Sequence, residues 1–439
     1  MLYYFFDWLR DEGIKFPGSG LMQFITFRVL LAVLLSLLIS TLYGKRVINL
    51  LQKKQIGESV RELGLQGEQQ KKGTPTMGGI IILLAILIPT LLLADLSKVY
   101  ILLMLLCTVW LGFIGFMDDY LKLKARKAAI AKGEKYKKKD SDGLAGITKI
   151  IGQVGLGIII GATLYFNDRV VVWREYYEPQ ASAITEGFLK KGEKKVGDTI
   201  VTMEGKVHRY AVVKTPITTI PFVKSHEFNY SRLISRIGEG ADRYTWIIYI
   251  IAVTFIITAV SNGANITDGL DGLAAGVSAL IGACLGIFVY VSGSTRFAEY
   301  LTIMYIPNLG ELSVFVGAFV GGCIGFLWYN AYPAQVFMGD TGSLALGGII
   351  ASLAIIVRKE LLIPIFCGVF LVENLSVMLQ VSYFKYTKRK YGEGRRIFLM
   401  SPLHHHYQKL GYHESKIAVR FWIVTVLCVL FAIATFKMR

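Results

Sequence analysis

Ten stretches of the chain are almost wholly apolar: residues 21–43, 78–95, 98–117, 146–166, 245–262, 272–292, 312–329, 343–358, 361–384 and 418–436. Each is close to the ~20 residues, within about 17–25, that an α-helix needs to cross the hydrocarbon core of a bilayer. The pattern predicts an all-α polytopic membrane protein of about ten transmembrane helices. Two runs are irregular. The one from Ser343 is short and carries Gly347 and Gly348; the one from Leu361 is interrupted by Pro364 and by Glu373-Asn374. Such residues are costly in lipid unless they face protein or water, so a kinked or shifted ninth helix is expected. The segment Tyr3-Tyr4-Phe5-Phe6-Asp7-Trp8 lacks the basic start and small-residue cleavage site of a signal peptide. Its aromatic content suits a membrane interface.

Only residues 167–244 read as a substantial polar piece, which divides the chain into 1–166, 167–244 and 245–439. Within it, Thr199–Met203 and Val207–Val212 alternate around Glu204-Gly205-Lys206, the signature of a β-hairpin. A piece this short buries little core by itself, so it is expected to pack on the outer membrane surface or against a partner. It contains no catalytic constellation legible in the sequence.

Composition agrees: hydrophobic residues are 54% and charged residues 18%, against ~45–50% and ~25% in soluble domains. The net charge of +17 raises nucleic acid as a partner, but the basic residues lie between apolar runs, so no nucleic acid is expected. Lys45, Arg46, Lys53 and Lys54 follow the first run, Lys122, Lys124, Arg126 and Lys127 the third, and Lys385, Lys388, Arg389 and Lys390 precede the last. The positive-inside rule puts these loops in the cytoplasm and both termini outside, with 167–244 extracytoplasmic. The five cysteines all lie in apolar runs, as small buried hydrophobes, and imply no disulfide framework.

Polar residues at run ends concentrate on the cytoplasmic side. Lys71-Lys72-Gly73-Thr74-Pro75-Thr76 enters the second run, where Thr74 suits a helix cap, Pro75 the first helical position, and free N–H groups an anion. Asp118-Asp119 leave the third run; adjacent carboxylates at a bilayer boundary repel and call for a cation, a shared proton or water. Asn265-Ile-Thr-Asp268-Gly269-Leu270-Asp271-Gly272 has no Lys or Arg, and Asn265, Asp268 and Asp271 share one face if the stretch is helical. Asn330 to Ser343 offers Gln335, Phe337 and Asp340, the last also able to cap the next helix. His404-His405-His406 lacks a spaced fourth ligand for zinc, so phosphate contact, proton handling or a buried structural role is favoured. Carboxylates and amides without thiolates select Mg²⁺ or Mn²⁺, and Mg²⁺ is usually shared between one or two carboxylates and substrate phosphates. The class inferred is metal-assisted phosphoryl-group transfer onto a membrane lipid.

Gly73-Thr-Pro-Thr-Met-Gly-Gly79, Asp118-Asp119, Asn265 to Gly272, Met338-Gly-Asp340 and Pro402-Leu-His-His-His406 stand in an order and spacing that resembles the MraY family of phospho-N-acetylmuramoyl-pentapeptide transferases, over nearly the whole chain. The 167–244 segment is the main departure, being longer than the expected connection. The resemblance implies transfer from UDP-MurNAc-pentapeptide to undecaprenyl phosphate, giving lipid I and UMP, in the bacterial inner membrane and in a homodimer. It implies Asp340, Asp118 and Asp119 as the Mg²⁺ set, with His404 beside them in catalysis. It implies Lys71, Asn265, Asp268, Asp271 and Asn330 in the nucleotide site, Phe337 against uracil, Gly269 and Leu270 contributing backbone, and Thr76, His404 and His405 on sugar or phosphate. A groove at the kinked ninth helix would take the polyprenyl chain. The rival readings are a sibling transferase moving GlcNAc-1-phosphate and, from another class, an ion-coupled transporter.

Overall fold

The computed structural model describes residues 1–14, 19–54, 73–131, 143–144, 146–176, 189–203, 206–223, 227–235, 238 and 240–435. All ten apolar runs are helical. After a short amphipathic helix α1 (Leu2–Asp11), the first run forms α2 (Ile25–Leu38) and α3 (Gly44–Lys54), joined by a π turn over Ile39–Tyr43. The following spans are α4 (Gly79–Leu93), α5 (Val99–Ala131) and α6 (Gly146–Phe166). Among the described residues eight helices are long and apolar enough to cross a membrane, or nine if a bent pair counts as one span. The remaining run, the second, is α4, which at 15 residues is about 22 Å long and falls short of a ~30 Å hydrocarbon core.

Between α6 and the next span lies the insert. Strands β1 (Val172–Tyr176), β2 (Lys194–Met203) and β3 (Lys206–Lys214) form an antiparallel sheet in the order β1-β3-β2. The expected hairpin is β2–β3, closing with Met203 opposite Lys206; Glu204 and Gly205 lie outside the described residues. Strands β4 (Ile217–Thr219) and β5 (Glu227–Asn229) pair separately, and Asn229 caps α7 (Tyr230–Ile234) by accepting the Ser231 N–H at 2.9 Å. The insert packs on the helical body. The Trp173 N–H donates to the Tyr305 carbonyl at 3.1 Å and the Thr219 N–H to the Arg358 carbonyl at 3.1 Å. It borrows the core that its own size denies it.

The second half contains α8 (Thr245–Thr267), α9 (Leu273–Ser292), the short α10 (Thr295–Leu301), α11 (Leu312–Asn330) and α12 (Gly339–Ile356). The ninth run bends by 80° between α13 (Ile363–Phe366) and α14 (Gly368–Tyr391). The bend falls at Cys367, not at Pro364, which occupies the first turn of α13. Proline is tolerated there because that N–H has no helical acceptor anyway. Helices α15 (Leu403–Lys409) and α16 (Glu414–Ala434) complete the chain.

Helix α12 is the axis of the bundle: 89% of its spanning window is buried, against 22% for the peripheral α16. It packs against α5, α8, α4 and α9. Small residues allow the closest of these approaches. A Cβ at Gly115 on α5 would stand 2.1 Å from the Asp340 carbonyl oxygen. Any larger residue there would push α5 away and carry Asp118 and Asp119 with it.

Candidate active site

The second carboxylate of the α5 pair decides where α12 begins. Asp119 Oδ1 accepts the Asp340 N–H at 3.2 Å; Asp119 Oδ2 accepts the Thr341 N–H at 2.9 Å and its hydroxyl at 2.7 Å. A carboxylate on the first N–H groups of a helix satisfies donors that have no internal acceptor and opposes the positive end of the dipole. The helix therefore starts at Gly339, four residues before the apolar run does. Asp340 lies inside the first turn and is not its cap, contrary to the alternative read from the sequence.

This capping fixes the geometry of the other carboxylates. Oxygens of Asp118, Asp119 and Asp340 all lie within 4.8 Å of one another. Lys149, from the first turn of α6, places Nζ 2.5 Å from Asp340 Oδ2 and 2.8 Å from Asp118 Oδ2. Lys122, one turn beyond Asp118, places Nζ 2.5 Å from Asp118 Oδ2 and 3.2 Å from Asp340 Oδ2. Asp118 Oδ1 accepts the Leu144 N–H at 2.7 Å, and Asn265 Nδ2 donates to Asp340 Oδ1 at 2.9 Å and to Ser343 Oγ at 2.8 Å. One oxygen each of Asp118 and Asp340 thus points at a common cation position, while both oxygens of Asp119 are committed to α12. An all-oxygen set that offers two carboxylates suits a hard divalent ion such as Mg²⁺.

The stretch before α4 differs from its sequence reading. Thr74 does not cap the helix and Pro75 is not its first residue. The chain from Pro75 to Gly79 runs alongside 337–338: Phe337 N–H donates to the Pro75 carbonyl at 2.9 Å, and the Gly78 and Gly79 N–H groups donate to the Phe337 and Met338 carbonyls at 2.8 Å. Those two N–H groups are consumed by the backbone and are not free for an anion. Lys71 lies outside the described residues. Thr76 is brought beside Gly339, where an added Cβ would lie 2.9 Å from Thr76 Oγ1.

Several other predicted residues hold loops in place. Asn330 is buried, accepts the Gly272 N–H at 3.1 Å and donates to the Val336 carbonyl at 2.9 Å. Asp271 is buried, accepts the Ala334 N–H at 3.0 Å, and its own N–H donates to Glu414 Oε1 at 2.7 Å. Asn265 lies in α8, so it and Asp271 turn to different partners instead of sharing a face. Asp268 and Phe337 are half-buried, Gly269 is exposed and Leu270 is buried.

The three histidines diverge on α15. His406 Nδ1 accepts the Leu399 N–H at 3.2 Å, and His405 Nδ1 lies 2.7 Å from Gln408 Oε1. His404 is fully buried: its Nδ1 lies 3.0 Å from Glu373 Oε2, and its N–H donates to Glu373 Oε1 at 3.2 Å. Its Nε2 is buried without a partner among the described residues and lies against Gly269, where a Cβ would come within 2.2 Å. Glu373 therefore directs a bare ring nitrogen at the 268–272 loop. Reading the sequence missed Glu373 and Lys149 as site residues. The available signal was the same for both: one charged side chain inside an otherwise apolar run.

A family model described as glycosyl transferase family 4 matches residues 206–358. A phospho-N-acetylmuramoyl-pentapeptide-transferase signature matches residues 71–83. Over 439 residues the chain is 56% identical to the phospho-N-acetylmuramoyl-pentapeptide-transferase of Flavobacterium psychrophilum and 56% identical to that of Flavobacterium johnsoniae. It is 52% identical to the protein of that name from Parabacteroides distasonis, and in all three cases 100% of both chains is covered.

Proposed function

The chain belongs to the family of phospho-N-acetylmuramoyl-pentapeptide-transferases, and from that membership we propose how its residues divide the work. The reaction moves phospho-MurNAc-pentapeptide from its UDP carrier to a polyprenyl phosphate, giving lipid I and UMP. In the net reaction the bond from the sugar-bearing phosphorus to the bridging oxygen is replaced by a bond to an oxygen of the lipid phosphate, and the bridging oxygen leaves on UMP. One phosphoanhydride replaces another, so the step needs no ATP.

The observation that carries the assignment is the convergence of Asp118 Oδ2 and Asp340 Oδ2, from different helices, on Lys149 Nζ at 2.8 and 2.5 Å. We assign Asp118 and Asp340 as the ligands of Mg²⁺, which when bound supplies charge neutralisation on the diphosphate oxygens. Asp119 serves that set by holding α12. Asp118 also orients, or takes a proton from, the lipid phosphate. Lys122 and Lys149 balance phosphate charge as it redistributes. Asn265 fixes the Asp340 carboxylate. Asp268, Gly269, Leu270, Phe337, Thr76, Lys71 and His405 form the donor site, with Phe337 against uracil. Asp271 and Asn330 shape the loops that carry it. His404, aimed by Glu373, contacts sugar or phosphate through Nε2.

The acceptor is undecaprenyl phosphate, its chain lying along the bent ninth span, where Leu375, Met378 and Leu379 of α14 are exposed. The aspartates face the cytoplasm, since they share their end of the bundle with the lysines that close α3, Lys53 and Lys54. Both termini and the insert then lie outside, in the inner membrane. A homodimer belongs to the same reading, and the mass of the purified protein in detergent tests it. The function itself is tested by supplying UDP-MurNAc-pentapeptide and UDP-GlcNAc separately with undecaprenyl phosphate. UMP is expected from the first alone; UMP from the second alone would assign the chain to the sibling reaction.

A further inference from the structure

Across the membrane from the aspartates, the insert carries a second set of metal-ligating side chains. Glu175 on β1 stands opposite Tyr210 of β3. His208, two residues along β3, therefore lies diagonally across from Glu175 on the same face of the sheet. His208 Nδ1 is 2.7 Å from Glu175 Oε1. Glu299 joins them from α10, so that one donor atom of each residue lies within 4.8 Å of the others. Among the described residues no cationic side chain pairs with Glu299. Neighbouring Arg174 is committed to Glu193 at 2.7 Å. Glu175 and Glu299 also line a cavity of about 270 Å³, with Trp173, Tyr210, Tyr305 and Lys359 around it.

Two carboxylates converging on one imidazole repel each other, and a divalent cation relieves that repulsion. One nitrogen and two oxygens are a donor set that zinc accepts, whereas Mg²⁺ favours oxygen alone. Ligand atoms around zinc stand about 3.3 Å apart, from bonds of ~2.0–2.1 Å; the exposed Glu299 side chain supplies the movement that closes the set. We propose that Glu175, His208 and Glu299 form a Zn²⁺ site that clamps the β insert to α10. The three ligands come from separate segments, so the ion joins insert to body. A fourth position remains for water or a small anion from the cavity.

The test is a Zn²⁺ titration of the purified full-length chain in detergent, stripped by chelator and kept in excess Mg²⁺ to occupy the aspartates. Competition with a chromophoric chelator gives affinity, and thermal unfolding gives the effect on stability. The expected result is one Zn²⁺ per chain and a raised unfolding temperature. Glu299→Gln should weaken binding at least about tenfold and remove the thermal effect, and His208→Ala should abolish both. Because the Glu299 side chain is exposed, Glu299→Gln leaves the fold intact and decides the matter even if His208→Ala misfolds. No bound Zn²⁺, or unchanged Zn²⁺ affinity in Glu299→Gln, overturns the site.

Discussion

Lys149 Nζ lies 2.5 Å from Asp340 Oδ2 and 2.8 Å from Asp118 Oδ2, so a lysine from one helix ties together carboxylates from two others. Its removal has opposite consequences for metal binding and for turnover. Without the ammonium the carboxylates carry more uncompensated charge and hold a divalent ion more tightly. The phosphate oxygens lose a cation that acts as charge redistributes, a loss on the order of 10²-fold in kcat for comparable groups. Lys149→Met should therefore lower kcat about 10²-fold without raising the Mg²⁺ concentration for half-maximal rate. UMP release across a Mg²⁺ series reads both quantities.

Glu373 and His404 should behave as one unit. Removing the carboxylate leaves the buried Nδ1 side of the ring without its partner and frees the ring to turn. Glu373→Ala and His404→Ala are each expected to lower kcat about tenfold or more, and the double variant no further than the worse single, as for residues that act through a shared contact. A double-mutant cycle on UMP release measures the coupling. Additive losses would separate the two residues.

Stability at the opposite end of the bundle rests on a buried pair. Arg28 Nη2 donates to Glu311 Oε2 at 2.9 Å, Arg28 Nη1 meets Glu311 Oε1, and Nη1 also donates to the Leu93 carbonyl at 3.1 Å. Arg28→Met alone strands a buried carboxylate, at a cost of about 3–5 kcal/mol. Arg28→Met with Glu311→Leu removes both charges and should recover much of that loss. Thermal unfolding in detergent compares them; equal destabilisation by the single and double variants would contradict the pairing.

A pH effect follows from Lys359, buried beneath the insert with Nζ donating to Thr219 Oγ1 at 2.8 Å. Burial pulls its pKa down to about 8, while neighbouring Glu360 acts in the opposite direction. Between that value and the ordinary 10.5, the unfolded chain holds a proton that the folded protein has released. Stability contributed by this group therefore rises with pH through that window. Lys359→Met should remove this component, so the difference in unfolding temperature between variant and parent should narrow from pH 7.5 to 9.5. A constant difference would remove Lys359 as the cause.

What the sequence disclosed and what it hid follow from the range of each interaction. Asp118, Asp119 and Asp340 were legible because carboxylates at the ends of apolar runs are expensive and call for a reason. Their distinct roles were not, since Asp119 caps a helix more than two hundred residues away, a contact no local pattern encodes. Lys149 is only a lone charge inside an apolar run until its partner Asp340, 191 residues on, comes into view. Glu373 reads as a defect in a span until His404 is placed beside it. The ninth span was rightly expected to be kinked, but neither Pro364 nor Glu373-Asn374, the residues that flagged it, marks the bend, which falls at Cys367 because Pro364 sits in the first turn of α13.

The central claim is that Asp118 and Asp340 jointly hold a divalent cation on which transfer depends. The direct measurement is UMP release from UDP-MurNAc-pentapeptide and undecaprenyl phosphate over a Mg²⁺ titration, for the parent chain, Asp340→Ala and Asp118→Asn. The account predicts no activity without Mg²⁺, loss of activity in Asp340→Ala, and a strong fall in Asp118→Asn. Full activity of Asp340→Ala, or turnover unaffected by chelator, would contradict it.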